Sequence, residues 1–488
     1  MQKISIDPVT RLEGHGRIDI FLNDEGDVAN AYMVIPELRG FEKFAQGRRV
    51  EELIDITPRI CGVCPEAHHM ASTKACDAVF HVEVPSTAKK LRELFYSAFY
   101  VADHTVHFYI LGGPDFVMGP DASPAERNIL GVIHKVGVEI GGRVIKSRGM
   151  AMDIIGMLGG RKIHPTFGLP GGVSKAITEE ERQQIEATAR EEIEFALFSL
   201  QLFRDIVLKN QAYVDLILSD AFTMPTYYMG TVDENNKVNF YDGKVRVVDP
   251  EGKEFVKYSP EEYLDVVAER VEPWTYLKFP YLKRVGWKGL VYGKDSGVYQ
   301  ATPLSRLNAA DGMATPRAQE AYEEFYKTLG GKPVHHTLAT HWARLIELLY
   351  AAERLLELAA DPEITNPHVR NIPTETPDEG VGIVEAPRGT LTHHYITDEK
   401  GIVKEANLIV GTTNNYAPIA IAVRKAAEAV IKKGQVSEGV LNRVEMAFRS
   451  YDPCFGCATH TLPRQMPLEV RIYDAERNIV DVLQQNME

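Results

Sequence analysis

Cysteine is scarce in this chain: five residues in 488, too few for a disulfide-stapled secreted scaffold and suited to a reducing compartment. Long apolar runs are missing too, and nothing approaches the roughly 18 residues that a membrane span requires. Basic residues are outnumbered, 54 Lys and Arg against 68 Asp and Glu, for a formal charge of −14. No basic stripe is left to bind nucleic acid. No dinucleotide fingerprint follows a strand, and Gly156-Met157-Leu158-Gly159-Gly160 is not one. The start, Met1-Gln2-Lys3-Ile4-Ser5-Ile6, enters a strand-like pattern directly and is neither a secretory nor a twin-arginine signal. What remains is ordinary for a soluble globular protein, with 44% apolar and 25% charged residues. The length alone allows two or three domains or one long enzyme unit.

Four of the five cysteines form two pairs near opposite ends of the chain. One is Arg59-Ile60-Cys61-Gly62-Val63-Cys64-Pro65-Glu66-Ala67-His68, the other Asp452-Pro453-Cys454-Phe455-Gly456-Cys457-Ala458-Thr459-His460. A two-residue spacer lets both thiolates of a pair converge on one ion, and two pairs complete a four-thiolate site. Spacing alone favours structural zinc, with a redox dithiol as the second reading. Zinc modules, however, close short loops in small domains, and a chain of this size builds a core without such a staple. Both pairs also sit among Gly, Pro, Arg and Asp. Cys76, the fifth cysteine, reads as a buried, inert thiol.

Residues 3–35 read as β structure, with Ile18, Ile20 and Leu22 alternating before the turn Asn23-Asp24-Glu25-Gly26. A short helix is expected through Met70–Phe80. Longer helices are expected over 86–111, 129–158 and 178–209, the last opened by a capping box at Thr178-Glu179-Glu180-Glu181. Residues 226–258 read as a peripheral meander of short strands. Helices 316–329 and 336–360 follow, and the 86–111, 178–209 and 336–360 helices are expected to pack as a central bundle. Residues 380–412 return to β structure, and helices are expected over 416–433 and 439–450. The fold class is α+β, mainly helical, with a central long-helix bundle and peripheral small β-sheets. One catalytic unit, 1–460, is expected, followed by a terminal hairpin in 461–488. Taken singly, Glu13 and Glu42 read as surface carboxylates and Arg388 as a surface charge. His104, His107, His335, His336 and His341 read as structural.

The patterns R-x-C-G-x-C-x-x-x-H and D-P-C-x-x-C-x-x-H resemble the two signatures of the large, catalytic subunit of nickel–iron hydrogenases. Asp7-Pro8-Val9-Thr10-Arg11-Leu12-Glu13-Gly14-His15, Arg39-Gly40-Phe41-Glu42 and Glu385-Ala386-Pro387-Arg388-Gly389 resemble further motifs of that family, in the family's order, so the resemblance spans the whole chain. It implies the nickel–iron hydrogenase large-subunit fold and reversible, heterolytic H2 oxidation. Cys61 and Cys454 would be terminal nickel ligands, and Cys64 and Cys457 bridges to an iron carrying carbon monoxide and cyanide. Glu13 would be the proton gate, with Arg388, Asp103, Asp452 and His68 completing the catalytic set. Pro387, Arg388 and Thr412 would surround the diatomic ligands. Magnesium would be held by Glu42, His460 and the carbonyl of Leu408. Residues 461–488 would be a maturation extension, removed by an endopeptidase once nickel is loaded, so the sequence would be the precursor.

Cys76 alone cannot hold an iron–sulfur cluster, and neither such a cluster nor flavin is expected in this chain. An iron–sulfur small subunit is implied as partner, with flavin-bearing diaphorase-type subunits and maturation factors. Arg39-Gly40-Phe41-Glu42-Lys43-Phe44, Glu272-Pro273-Trp274-Thr275-Tyr276 and Gln465-Met466-Pro467-Leu468 most resemble the cytosolic, bidirectional, NAD(P)-linked branch. Two rivals stand beside this reading. One is a complex-I-type quinone-reductase relative, which would have lost the cysteines. The other is a structural four-cysteine zinc scaffold in a larger complex.

Overall fold

The computed structural model describes residues 2–37, 40–272, 275, 277–458, 469–473 and 479–484, with side chains described through Gly456. Strands β1 (Gln2–Ile6), β2 (Arg17–Leu22) and β3 (Val28–Val34) form an antiparallel meander. Its alternating Ile18, Ile20 and Leu22 are fully buried. Helix α1 (Phe41–Ala45) carries Glu42, and α2 (Pro65–Val79) begins directly after Cys64. Proline at its first position suits a helix start, because the missing N–H has no intrahelical partner there.

The helical core consists of α3 (Ser86–Val106), α4 (Ile129–Val136), α5 (Val138–Gly159) and α6 (Glu179–Phe203), joined later in the chain by α8. The expected 129–158 helix is broken because Gly137 adopts φ +96°, a conformation that ends one helix and opens the next. The 86–111 pattern passes at His107 into a π-helical turn, His107–Gly112. The capping box at α6 forms: Thr178 N–H donates to Glu181 Oε2 at 2.9 Å and Glu181 N–H to Thr178 Oγ1 at 3.2 Å.

Strands β4 (Tyr227–Val232), β5 (Lys244–Val248) and β6 (Glu254–Tyr258) form the expected meander. It is tied to the core rather than appended: β4 is buried along its whole length, and Thr231 bonds to Glu385. Helix α7 (Pro303–Ala309) packs on β4. Helix α8 (Thr340–Ala360) lies against both α3 and α6. Leu345, Leu348, Leu349 and Leu355 are fully buried, but so are Arg344 and Glu347 on the same helix. Strands β7 (Glu379–Ala386), β8 (Gly389–Thr397) and β9 (Val403–Ile409) form a second antiparallel sheet. Helices α9 (Tyr416–Val430), α10 (Glu438–Arg449) and the short α11 (Phe455–Ala458) complete the core. The helix expected to reach Lys433 stops at Val430, and Gly434, at φ +69°, donates its N–H to Gly26 O. The terminal hairpin pairs β10 (Glu469–Tyr473) with β11 (Ile479–Gln484). Among the described residues no helix is long and apolar enough to cross a membrane.

One buried carboxyl makes the core pH-sensitive. Glu192 on α6 is fully buried, and burial raises its pKa from 4.5 to about 8. Its Oε2 meets the Ser147 hydroxyl of α5 at 2.5 Å, and Oε1 makes no hydrogen bond among the described residues. The folded chain then holds a proton that the unfolded chain releases, so stability falls as pH rises between the two pKa values and levels off above the higher. Glu192→Gln is expected to raise the thermal midpoint by roughly 2–5 °C at about pH 9 and to leave it unchanged at about pH 5. Equal shifts at both pH values in differential scanning fluorimetry would rule this out.

Candidate metal centre

The two cysteine pairs meet. Cys61 is the residue after the turn Thr57–Ile60, and Cys64 is the N-cap of α2. Cys454 arrives from the opposite end of the chain, where a parallel bridge pairs it with Glu13. Cys61 Sγ lies 3.4 Å from Cys454 Sγ and 3.1 Å from Cys64 Sγ. The three sulfurs are buried and lie within 4.8 Å of one another, close enough to bind one ion. Cys457 is in α11, and its side chain lies outside the described residues, as does His460. The Cys64 thiol is held well above its usual range by its hydrogen bond to Cys61 and by burial. Loading a metal would release that proton.

Glu13 sits at this junction. Its Oε2 is 2.9 Å from Cys454 Sγ and accepts the Gly456 N–H at 2.9 Å, while its carbonyl accepts from Phe455 N–H at 3.0 Å. The neighbouring Gly14 must be glycine, because a Cβ there would lie 2.7 Å from Gly456 N.

Facing the thiols is a buried cluster of charges. The β7–β8 turn is two residues, Pro387-Arg388, and places Arg388 at its tip. Nη1 of Arg388 donates to Asp103 Oδ2 at 2.9 Å, and Nη2 lies 2.9 Å from Asp452 Oδ2. Burial alone would lower the guanidinium pKa, but Asp103 and Asp452 outweigh it and hold the group firmly charged. Gly389 lets the turn close against its surroundings, since a Cβ there would lie 2.3 Å from Gly411 O. Asp452 adopts φ +53°, a conformation Asp tolerates better than most residues, and pairs with His107 Nδ1 at 2.9 Å. Thr412 Oγ1 accepts the Cys454 N–H at 3.0 Å, which keeps the hydroxyl proton available to donate. His68 lies on α2 with Nδ1 3.2 Å from His393 Nε2, and His393 continues to the Tyr395 hydroxyl at 2.7 Å.

Glu42 and Leu408 are both buried, and Lys278 links their surroundings. Its ammonium is 3.8 Å from Glu42 Oε1, 3.2 Å from Glu269 Oε1 and 3.1 Å from Asn407 Oδ1, beside Leu408. Arg39, Pro273, Trp274, Tyr276 and residues 465–468, which carried the branch-level resemblance, lie outside the described residues.

Reading residues singly missed several groups around this centre. His107 is buried against Asp452, so it is more than a filler of the core. Arg306, Glu347 and Glu385 form a buried network directly behind Arg388. The available signal was charge inside an otherwise apolar stripe, as at Arg344 and Glu347 within α8.

Comparison with known proteins agrees with the geometry. The sequence matches the Nickel-dependent hydrogenase family over residues 39–129 and 122–460, and a HoxL-like family over residues 3–38. It is 52% identical over 484 residues to an iron-sulfur subunit of the F420-non-reducing hydrogenase of Archaeoglobus profundus, covering 99% of each chain. It is 38% identical over 497 residues to the beta subunit of the NAD-reducing hydrogenase HoxS of Cupriavidus necator, covering 98% of this chain and 99% of that one. In structure it resembles an NAD+-reducing NiFe hydrogenase in the H2-reduced state, with TM-score 0.88, 35% identity, and coverage of 94% of this chain and 100% of that one. The convergent thiols fit a soft, thiolate-rich nickel–iron centre, and the chain belongs to the nickel-dependent hydrogenase family as its large, catalytic subunit.

Proposed function

We propose that Cys61, Cys64, Cys454 and Cys457 would hold a nickel–iron centre, Cys61 and Cys454 as terminal ligands of nickel and Cys64 and Cys457 as ligands shared with an iron that would carry carbon monoxide and cyanide. The observation that carries this reading is the convergence of Cys61, Cys64 and Cys454, with the buried Arg388 charge acting on Cys61 and Cys64. When bound, the centre supplies the Lewis acidity and the redox change of H2 ⇌ 2H+ + 2e−. The protein's own part is proton handling and charge placement. Glu13 Oε2 lies 2.9 Å from the Cys454 sulfur, close enough to take a proton released there. Glu13 is only partly buried, whereas Cys454 is 1% exposed, so the carboxylate leads outward from the thiol. Arg388 holds a fixed positive charge over the centre, and Asp103 and Asp452 fix its direction. Pro387 and Thr412 would border the diatomic ligands of the iron, and His68 would orient one of the cysteine sulfurs that hold the centre.

Magnesium is assigned to Glu42, the Leu408 carbonyl and His460. Glu42 is a buried carboxylate whose hard oxygens suit a dication, and the Leu408 carbonyl is a donor of the same kind.

The electrons leave to an iron–sulfur partner. The loop of the first cysteine pair reaches the surface at Gly62. Close in the chain lies an apolar hollow of about 780 Å³ lined by Phe41, Phe44, Ile56 and Arg59, with Phe44 51% exposed. Exposed apolar area of this kind suits a protein partner. The likeness to NAD-reducing enzymes supports NAD(P) as the further carrier, and flavin-bearing subunits and a cytoplasmic location go with that proposal. The higher identity to an F420-non-reducing enzyme supports a second reading, in which the same catalytic subunit serves a different carrier. Residues 461–488 are assigned to a maturation extension.

The test is an infrared spectrum of the purified protein. Metal-bound carbon monoxide and cyanide stretches are expected where no side chain absorbs, and they are expected to shift under H2. Absence of the bands, with zinc in the protein, would overturn the assignment in favour of a scaffold.

A further inference from the structure

Among the described residues Arg306 bonds to no cysteine, yet all five of its N–H groups are used on one task. Nε and Nη2 grip Glu347 at 2.6 and 2.7 Å as a two-point fork. Nη1 donates to Glu385 Oε2 at 3.2 Å and to Ala386 O at 3.0 Å, and Nη2 donates to Pro387 O at 3.2 Å. Five donors meet five acceptors, and the side chain is fully buried. Two of those acceptors are the carbonyls immediately preceding Arg388.

The same fork reaches the other half of the pair. Glu347 Oε2 also accepts from His104 Nε2 at 2.9 Å, and His104 follows Asp103 on α3. Glu385 is itself immobilised: its Oε1 accepts from Thr231 N, Thr231 Oγ1 and Thr390 Oγ1 at 2.8 to 2.9 Å. Its carbonyl accepts the hydroxyls of Tyr96 and Tyr100 at 2.6 and 2.8 Å. A planar guanidinium fixes the directions of its donors, which a flexible ammonium does not. Packing alone does not call for a buried charge here, since apolar residues of similar volume would cost less to bury.

We propose that Arg306 is the positioning residue for Arg388. It clamps the tip of the β7–β8 hairpin and, through Glu347 and His104, the turn of α3 that carries Asp103. Both ends of the Arg388–Asp103 pair are thereby set from one buried fork. This inference rests on the reading of Arg388 as the charge held over the metal centre.

The test is a double-mutant cycle in the loaded, complete enzyme, using Arg306→Lys, Arg388→Lys and both together, with a crystal structure of the Arg306→Lys protein. Arg306→Lys is expected to lower kcat by roughly 10- to 100-fold with little change in the KM for H2, since a misplacement of about 1 Å can cost that much. On the Arg388→Lys background the same change is expected to alter kcat by less than about twofold, because coupled residues are not additive. The crystal structure is expected to show Arg388 displaced from Asp103 or Asp452. Fully multiplicative losses, or an Arg388 still holding both partners, would overturn the clamp. Should Arg306→Lys fail to assemble, Glu347→Gln, which keeps the shape and weakens the fork, is expected to show the same non-additivity, and additivity there would overturn the proposal equally. Wild-type turnover in Arg388→Lys alone would defeat the underlying reading instead, leaving the crystallographic displacement to decide the clamp.

Discussion

Cys454→Ser is expected to leave a folded chain with less than about a tenth of the wild-type nickel and no measurable H2 turnover. Serine is nearly isosteric with cysteine, and Cys454 is buried where Cys61 and Cys64 already supply a packed environment. The loss would therefore be chemical. An alkoxide is a poor ligand for a soft, thiolate-rich site, and a serine hydroxyl stays protonated where a thiol would ionise on metal binding. The substitution also removes the sulfur that lies 2.9 Å from Glu13. Elemental analysis of nickel per chain, with H2 uptake on the same sample, checks both halves. Full nickel occupancy in the serine variant would remove Cys454 from the ligand set.

Glu13→Gln is expected to separate assembly from turnover. Glutamine keeps the volume and can still accept the Gly456 N–H that Glu13 accepts at 2.9 Å. The metal-bound infrared bands and the nickel content are therefore expected to stay at wild-type values. An amide cannot take up and release a proton near neutral pH, so turnover is expected to fall by about 10²- to 10⁴-fold, the range for loss of a positioned general base. Glu13→Asp keeps the acid but shortens the reach, and recovery of part of the rate would assign the loss to the proton rather than to packing. Turnover within about threefold of wild type in the glutamine variant would send the proton elsewhere, with Asp103 and Asp452 next to examine.

The two predictions depend on different parts of the chain's legibility. The cysteine spacing, and the motifs around Glu13, Glu42 and Arg388, could be read without coordinates because each is local: a few residues at a characteristic separation. Helices with a strong 3.6 period were equally plain, and α3, α6 and α8 fall where the apolar repeats place them. Boundaries were less plain. The break at Gly137 and the π-helical turn at His107 depend on packing that periodicity does not carry. The status of single charged residues was hidden most. Glu347 on α8, alone in the sequence, reads as a solvated charge, and only Arg306 and His104, distant in the chain, show that it is buried and paired.

The sequence by itself determined which groups are on offer: four cysteines in two pairs, with a carboxylate and an arginine in motifs between the chain's start and the second pair. A ligand set is a matter of residue type and short-range spacing. The tertiary structure decided which of these groups act together. Arg388 at a hairpin tip, Asp103 on α3 and Asp452 at a left-handed residue lie far apart in the chain. They meet because β7–β8, α3 and the segment before Cys454 close on the same buried volume. Burial then makes each of those charges require its partner.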